Sequence, residues 1–220
     1  NRMESAIKYF VDKQIKGTVL ELGAGNGTFA NSLLKTNLNI EQYIVTDISD
    51  NRLTAVKNSI KDSRLDVKNL DLNNFEPKEI GQFDVVVMIA LIEHLIYPIE
   101  VMQNVKKLLK PGGLVYIDTP NIAEIGSRKK ILLGKFPSTG SKNEGLTTWD
   151  GKPVENYDQG HFHYFTYRSL SLMLKMYCGF ESTEKSYSLA GKPKISKKFD
   201  NFLCKVSPEL FSPDLVIIAK

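Results

Sequence analysis

Residues 18–27 read TVLELGAGNG, and this stretch decides the fold. Val19, Leu20 and Leu22 form a short apolar run of the kind that makes a buried strand. Gly23, Gly25 and Gly27 then alternate with Ala24 and Asn26. Alternating glycines let backbone pass close to a ligand and accept dihedrals that a Cβ would forbid. Phe29, Ala30, Leu33 and Leu34 follow at helical spacing. The loop therefore joins a strand to a helix, and a small molecule is expected over that helix's start. A dinucleotide fingerprint would place a third glycine at position 28, where Thr28 stands. Glu21 also argues against a pyrophosphate there and would suit a cationic ligand.

Outward from the loop, strands and helices alternate. Met3, Ala6, Ile7, Phe10 and Val11 share one face of an opening helix. Tyr43–Asp47 reads as a second strand, and Ser49 or Asp50 can cap a helix carrying Leu53, Val56 and Ile60. A weak strand lies near Asp66–Leu70. Phe83–Ile89 is the strongest strand, β-branched and nearly all apolar, hence central. Pro98 suits the first position of a helix with Val101, Met102, Val105, Leu108 and Leu109 on one face. Lys110-Pro111-Gly112-Gly113 ends it, and Leu114–Asp118 is the next strand. This is an α/β pattern: a mostly parallel sheet covered on both faces. The alternation stops at Thr119. Residues 120–165 are rich in glycine and show no clean period apart from a short helix near Ile125–Leu133, so a lid or substrate wall is expected there. Thr166 caps a later helix that Gly179 ends; Glu181–Leu189 and Asp214–Ala219 are the last strands, joined by a basic connection holding Lys192, Lys194, Lys197 and Lys198.

ELGAGNG resembles the first motif of class I S-adenosylmethionine-dependent methyltransferases, and LLKPGGLVYIDTPN resembles their post-core motif. GHFHYFTYRSLSLML, at 160–174, is similar to the tail segment of the ubiquinone-type and glycan- or natural-product-cluster O-methyltransferase branches. The resemblance implies a doubly wound, Rossmann-like, seven-stranded sheet with a lid insertion after strand five. It implies one domain over residues 1–220, with a cofactor half at 1–119, the insertion at 120–165 and a C-terminal part at 166–220. S-adenosylmethionine is the implied cofactor, and its ammonium and sulfonium suit Glu21. Gly23, Ala24 and Gly25 would pass close to it. Asp47, at the end of the second strand, can accept both ribose hydroxyls, and Ile48 can pack on the base. Asp71 and Leu72 match the family's adenine-edge position, and Ile89-Ala90 its methionine end.

Composition bounds the rest. The chain has 220 residues and 42% hydrophobic content, enough for one core. Cys178 and Cys204 have no metal spacing and suit a reducing, cytoplasmic setting. No apolar run approaches membrane-spanning length and no signal peptide is visible. The first 120 residues hold 14 Lys/Arg against 15 Asp/Glu, and the last hundred hold 15 against 10, so an acidic partner would meet the back half. After the central strand the chain reads IALIEHL, without the Pro-Pro-aromatic motif of base-methylating enzymes, and a small-molecule acceptor is expected rather than nucleic acid.

A hydroxyl acceptor needs a base or a metal, whereas a neutral amine does not. The three histidines, His94, His161 and His163, are the candidate bases, titrating near 6.5 if unperturbed. An extended 161–165 would put His161 and His163 on one side, Phe162 and Tyr164 on the other. Glu93-His94 with a later histidine also resembles the metal site of small-RNA ribose methyltransferases. That family has a further Glu where Ala90 stands, so no metal is expected. O-methylation is the favoured reading, with N-methylation and a non-catalytic cofactor-binding module as alternatives.

Overall fold

The computed structural model describes residues 2–135, 137, 161–188 and 196–220. Helix α1 (Arg2–Asp12) leads into β1 (Gly17–Leu22), and the glycine loop joins β1 to α2 (Thr28–Leu34). There follow β2 (Ile40–Asp47), α3 (Asp50–Ser59), β3 (Leu65–Asn69), α4 (Pro77–Ile80) and β4 (Phe83–Ile89). A 3-10 turn (Ile92–His94) precedes α5 (Pro98–Lys107) and β5 (Leu109–Pro120). The remainder is α6 (Ile125–Leu132), α7 (Tyr167–Tyr177), β6 (Thr183–Ser188), α8 (Lys197–Val206), α9 (Pro208–Phe211) and β7 (Asp214–Ala219).

The seven strands form one sheet in the order β3-β2-β1-β4-β5-β7-β6. All pairs are parallel except those made by β7, which runs antiparallel to β5 and β6. Because side chains alternate along a strand, each strand feeds two cores. Leu20, Leu22, Val86 and Met88 face one core with Val101, Met102 and Val105 of α5 and Leu170 and Leu174 of α7. Val19, Val85 and Val87 face the other with Phe10 of α1, Phe29 and Leu33 of α2, and Leu53 and Val56 of α3. The doubly wound sheet expected from the sequence is thus the observed one, and its strands β1 and β4, buried on both faces, read as continuous apolar runs for that reason.

Three boundaries differ from the sequence reading. Strand β5 is longer than Leu114–Asp118: Leu109 already pairs with Phe83, so Pro111-Gly112-Gly113 lies within the strand at a shift of register rather than between helix and strand. The basic connection before the last strand contains α8 and α9, which the reading missed. Ser196 caps α8 by accepting the Phe199 N–H, and Phe199, Phe202, Leu203 and Val206 carry its helical period. The expected insertion is anchored at both described ends. Ile122 N–H donates to the Phe165 carbonyl (3.1 Å), and the Phe162 and His163 N–H groups donate to the Glu93 carbonyl (2.9 and 3.2 Å). Its centre, 138–160, lies outside the described residues, as do Leu189, Lys192 and Lys194.

Helix α7 starts where the sequence placed it. The Thr166 hydroxyl accepts the Ser169 N–H (3.0 Å) while the Ser169 hydroxyl accepts the Thr166 N–H (2.9 Å), a reciprocal cap that satisfies two otherwise unpaired donors. Thr166→Ala is expected to lower folding stability by about 1 kcal/mol and Thr166→Ser to leave it nearly intact, measured by urea unfolding.

Candidate active site

The chain leaves β1 by a tight path. Gly23, Gly25 and Gly27 all have positive φ (63°, 56° and 71°). At Gly23 a Cβ would come within 2.6 Å of Leu91, so the close approach there excludes a side chain. At Gly25 a Cβ would meet nothing within 4 Å, so the backbone itself presents an open face. Two main-chain donors fix the loop to the end of β2. Ala24 N–H donates to the Thr46 carbonyl (2.9 Å), and Gly25 N–H donates to Asp47 Oδ2 (2.9 Å). Asp47 Oδ1 accepts the Ser49 N–H (2.9 Å), so each oxygen carries one bond and keeps a further acceptor direction.

Beside this loop lies a cavity of about 350 Å³. Six of the ten residues expected at the cofactor line it: Gly23, Asp47, Ile48, Asp71, Leu72 and Ala90. His94 lines it too, together with Arg52, Leu70, Asn73, Leu91 and Leu95. Ile48 is 64% exposed, an apolar side chain left on the cavity rim. Asp71 Oδ1 accepts the Asn73 N–H (2.9 Å) and side-chain amide (3.1 Å), which shapes the turn after β3. Ala90 has φ of 51°, unusual for a residue with a Cβ, and its N–H donates to the Asp118 carbonyl (2.8 Å). Strain of this kind tends to collect at functional sites. Ala24, Gly25 and Ile89 are not among its lining residues.

Glu21 is placed differently from the expectation. Strand alternation turns it into the core with Val19, where it is 3% exposed and does not line the cavity. The Tyr43 hydroxyl donates to its Oε2 (2.7 Å), and the Ala30 N–H in the first turn of α2 also favours its charge. Burial outweighs both and pushes its pKa up to about 8. Enclosed in this way, the carboxyl faces Tyr43 and the start of α2 rather than the cavity.

The histidines converge in part. One ligand atom each from Glu93, His94 and His161 lie within 4.8 Å of one another, and the His94 and His161 rings are 4.6 Å apart, edge to face. His163 is outside this group and packs 6.2 Å from the Phe165 ring, with its Nε2 buried and without a hydrogen-bond partner among the described residues. The alternation expected for 161–165 holds: Phe162 and Tyr164 are exposed, and the two histidines are half-buried. The unperturbed titration expected of the histidines does not hold for His161. Burial, with His94 and Arg2 nearby, pulls its pKa down to about 4, so its imidazole is neutral at neutral pH. Glu93 is buried; Thr119 Oγ1 donates to its Oε2 (2.7 Å), and its Oε1 has no hydrogen-bond partner among the described residues. Desolvation raises the Glu93 pKa. Nitrogens from two imidazoles and a carboxyl oxygen make a donor set of the kind a divalent ion takes. The sequence resembles a metal site here but, with Ala90 in place of a further Glu, no metal is expected from it.

Sequence reasoning missed Arg52, Leu91 and Asn73 on the cavity wall. Arg52 follows Asp47 by five residues and its Nη1 lies 3.9 Å from Asp47 Oδ2. It also missed Arg2, whose partners Asp118 and Asp214 are more than a hundred residues away. No local pattern announces such a contact.

A glycine loop at the end of β1, an acid at the end of β2 bonded to that loop and a cavity between the ends of β1 and β4 define the class of an S-adenosylmethionine-dependent methyltransferase of class I. Residues 1–184 match the family described as methyltransferase domain, and the chain belongs to it. S-adenosylmethionine is therefore its cofactor. Among curated relatives, a ubiquinone biosynthesis O-methyltransferase of Coxiella burnetii is 30% identical over 119 residues, 51% of this chain and 48% of that protein. The mitochondrial ubiquinone biosynthesis O-methyltransferase of Saccharomyces cerevisiae is 29% identical over 140 residues, 60% and 43% of the two chains. The matches thus span about half the length of these relatives. Among solved structures, a possible histamine N-methyltransferase from Thermotoga maritima shares the fold at a TM-score of 0.65 and 15% identity, covering 99% of this chain and 88% of that one. The small RNA methyltransferase HEN1 does so at 0.65 and 18%, covering 100% and 24%.

The Glu21 environment predicts a pH dependence. Its pKa is raised from 4.5 to about 8 on folding, so the folded state holds a proton that the unfolded chain has released between those values. This contribution to stability is full below 4.5 and is lost as pH rises toward about 8. Wild-type stability relative to Glu21→Gln is expected to fall across that window by at most about 1.4 kcal/mol per pH unit, the slope of one proton. Urea unfolding of both proteins at a series of pH values checks it; parallel curves would contradict it.

Proposed function

We propose that this chain methylates a hydroxyl of a small-molecule acceptor, with cofactor in the cavity beside the glycine loop and acceptor at Glu93, His94 and His161. The convergence of those three side chains next to the cavity carries this reading. An amine acceptor that binds neutral needs no base for its attack, whereas a hydroxyl does. The names of the curated relatives, O-methyltransferases of ubiquinone biosynthesis, agree with a hydroxyl.

The residues fit the cofactor. Asp47 keeps acceptor directions for a ribose diol, Ile48 offers an exposed apolar face to a base, and the Gly25 backbone faces open space. Asp71 and Leu72 would meet the adenine edge, and Gly23, Ala24, Ile89 and Ala90 the methionine end. When bound, S-adenosylmethionine supplies a methyl carbon already activated by its sulfonium. The chain then has to orient the acceptor oxygen in line and accept its proton. His94 or the neutral His161 takes that proton, and Glu93 stabilises the imidazolium. Residues 1–119 form the cofactor half. Cys178 and Cys204 are buried and form no disulfide, which agrees with a reducing, cytoplasmic setting, and among the described residues no helix is long and apolar enough to cross a membrane.

Cofactor binding gives the first test. Gly25→Val is expected to abolish binding of S-adenosylmethionine and of its demethylated product, and Asp47→Ala to weaken it by about 1.5–3 kcal/mol, the range for a hydrogen bond to a charged group. Calorimetry that finds NAD binding, or no loss in Gly25→Val, rejects the assignment.

A second test addresses the acceptor side. His161→Ala and His94→Ala should each cut turnover by about 10²–10⁴ without changing cofactor affinity. A specific alternative comes from the Glu93-His94-His161 donor set: a divalent ion that acidifies the acceptor hydroxyl. Chelation that abolishes turnover, with recovery on adding Mg²⁺, Mn²⁺ or Zn²⁺, selects the ion. Indifference to chelation selects the imidazole base. Full turnover by both alanine variants would exclude both and return the chain to an amine acceptor.

A further inference from the structure

Arg2, the first residue of α1, lies among acids from three other elements. Its Nε is 2.8 Å from Asp118 Oδ1 at the end of β5, and its Nη2 donates to Asp214 Oδ1 at the start of β7. The Asp118 side chain is 0% exposed and that of Asp214 8%. Glu93, on the 3-10 turn, is buried close enough for its charge to act on both Arg2 and Asp118. One guanidinium therefore serves three enclosed carboxylates. The Arg2–Asp118 contact is an ion pair without hydrogen-bond alignment: among the described residues neither Asp118 oxygen, nor Asp214 Oδ2, nor Glu93 Oε1 has a hydrogen-bond partner. Burial pushes the Asp118 and Glu93 carboxyls above the ordinary carboxylate range even with Arg2 beside them, so removing this counter-ion leaves enclosed acids that repel one another or must take up protons.

Arg2 is not needed to hold α1 down. Ala6 and Phe10 do that, fully buried against Phe29 and Tyr116. Its effect is directed elsewhere. Asp118 is followed by Thr119, whose hydroxyl fixes Glu93, and the Glu93 carbonyl receives the Phe162 and His163 N–H groups that hold His161 in place.

We propose that Arg2 is a positioning residue for the acceptor side of the site: by balancing Asp118 and Asp214 it keeps Thr119 and Glu93 in register with the 161–165 segment. This rests on the reading of Glu93, His94 and His161 as the acceptor-side group. The role passes through Asp118, so its loss is compensated by removing the Asp118 charge.

The test uses hydrogen exchange, which needs no acceptor, on the full chain carrying R2Q, R2K and R2Q/D118N. R2Q is expected to speed exchange of the Phe162 and His163 amides by about tenfold or more while the amides around Phe10 stay protected. R2K, which keeps the charge, and R2Q/D118N, which removes the unbalanced one, should stay within about threefold of wild type. On an acceptor that wild type turns over, kcat should follow the same order. Wild-type exchange at 161–165 in R2Q, or exchange in R2Q/D118N as fast as in R2Q, overturns the proposal. Should R2Q not fold, R2Q/D118N exchanging about tenfold faster than R2K overturns it as well. The expected exchange pattern combined with normal turnover of an amine acceptor by His94→Ala and His161→Ala would uphold the positioning role and reject the hydroxyl reading instead.

Discussion

The hydrogen bond from the Gly25 N–H to the Asp47 carboxylate is the constraint on which the site depends. It closes a backbone path that only a glycine-rich segment can follow, since three positions between β1 and α2 have positive φ. It also sets the height of the Asp47 side chain relative to the loop. A second bond, Ala24 N–H to the Thr46 carbonyl, makes the loop a continuation of the β1–β2 pairing. In the core on the same strands, the enclosed Glu21 accepts the Tyr43 hydroxyl and so ties β1 to β2 through a buried polar pair. The loop is thus held from the side by β2, and a ligand meets a surface already in place.

The strand order then determines where chemistry can occur. β1 lies between β2 and β4, and the connections leaving β1 and β4 go to opposite faces, which opens a crevice at their carboxyl ends. Gly23 after β1 and Ala90 after β4 both line the cavity there. The φ of 51° at Ala90 turns the chain sharply into Leu91, which packs where Gly23 has no side chain. The absent Cβ on one side and the unusual backbone on the other are therefore parts of one contact. It delivers Glu93 and His94 to the rim a few residues later.

The cofactor side was largely legible in the sequence because its determinants are local. Gly23, Gly25 and Asp47 act through backbone conformation and strand-end position, and both are encoded within a few residues. Thr166 and Gly179 marked α7 for the same reason. Glu21 was misread because polarity alone does not reveal which face of a strand a residue occupies; alternation with Val19 sends it into the core. Helices α8 and α9 were missed because the surrounding lysines masked a helical period carried by few apolar residues. The acceptor side was the least legible. His161 meets His94 across a sequence gap of 67, and Arg2 meets Asp214 across 212, so neither contact leaves a periodic trace.

These distant contacts also explain how the site tolerates so much buried polarity. Glu93, Asp118 and Asp214 are buried on three different elements, where an apolar side chain of similar volume would cost less to enclose. Stability alone therefore gives no reason for their presence. What the acids provide is direction. Asp118 lies in the last paired stretch of β5, between β4 and β7, and its neighbour Thr119 donates its hydroxyl to Glu93, so the placement of Asp118 in the sheet bears on the placement of the Glu93 side chain beside His94 and His161.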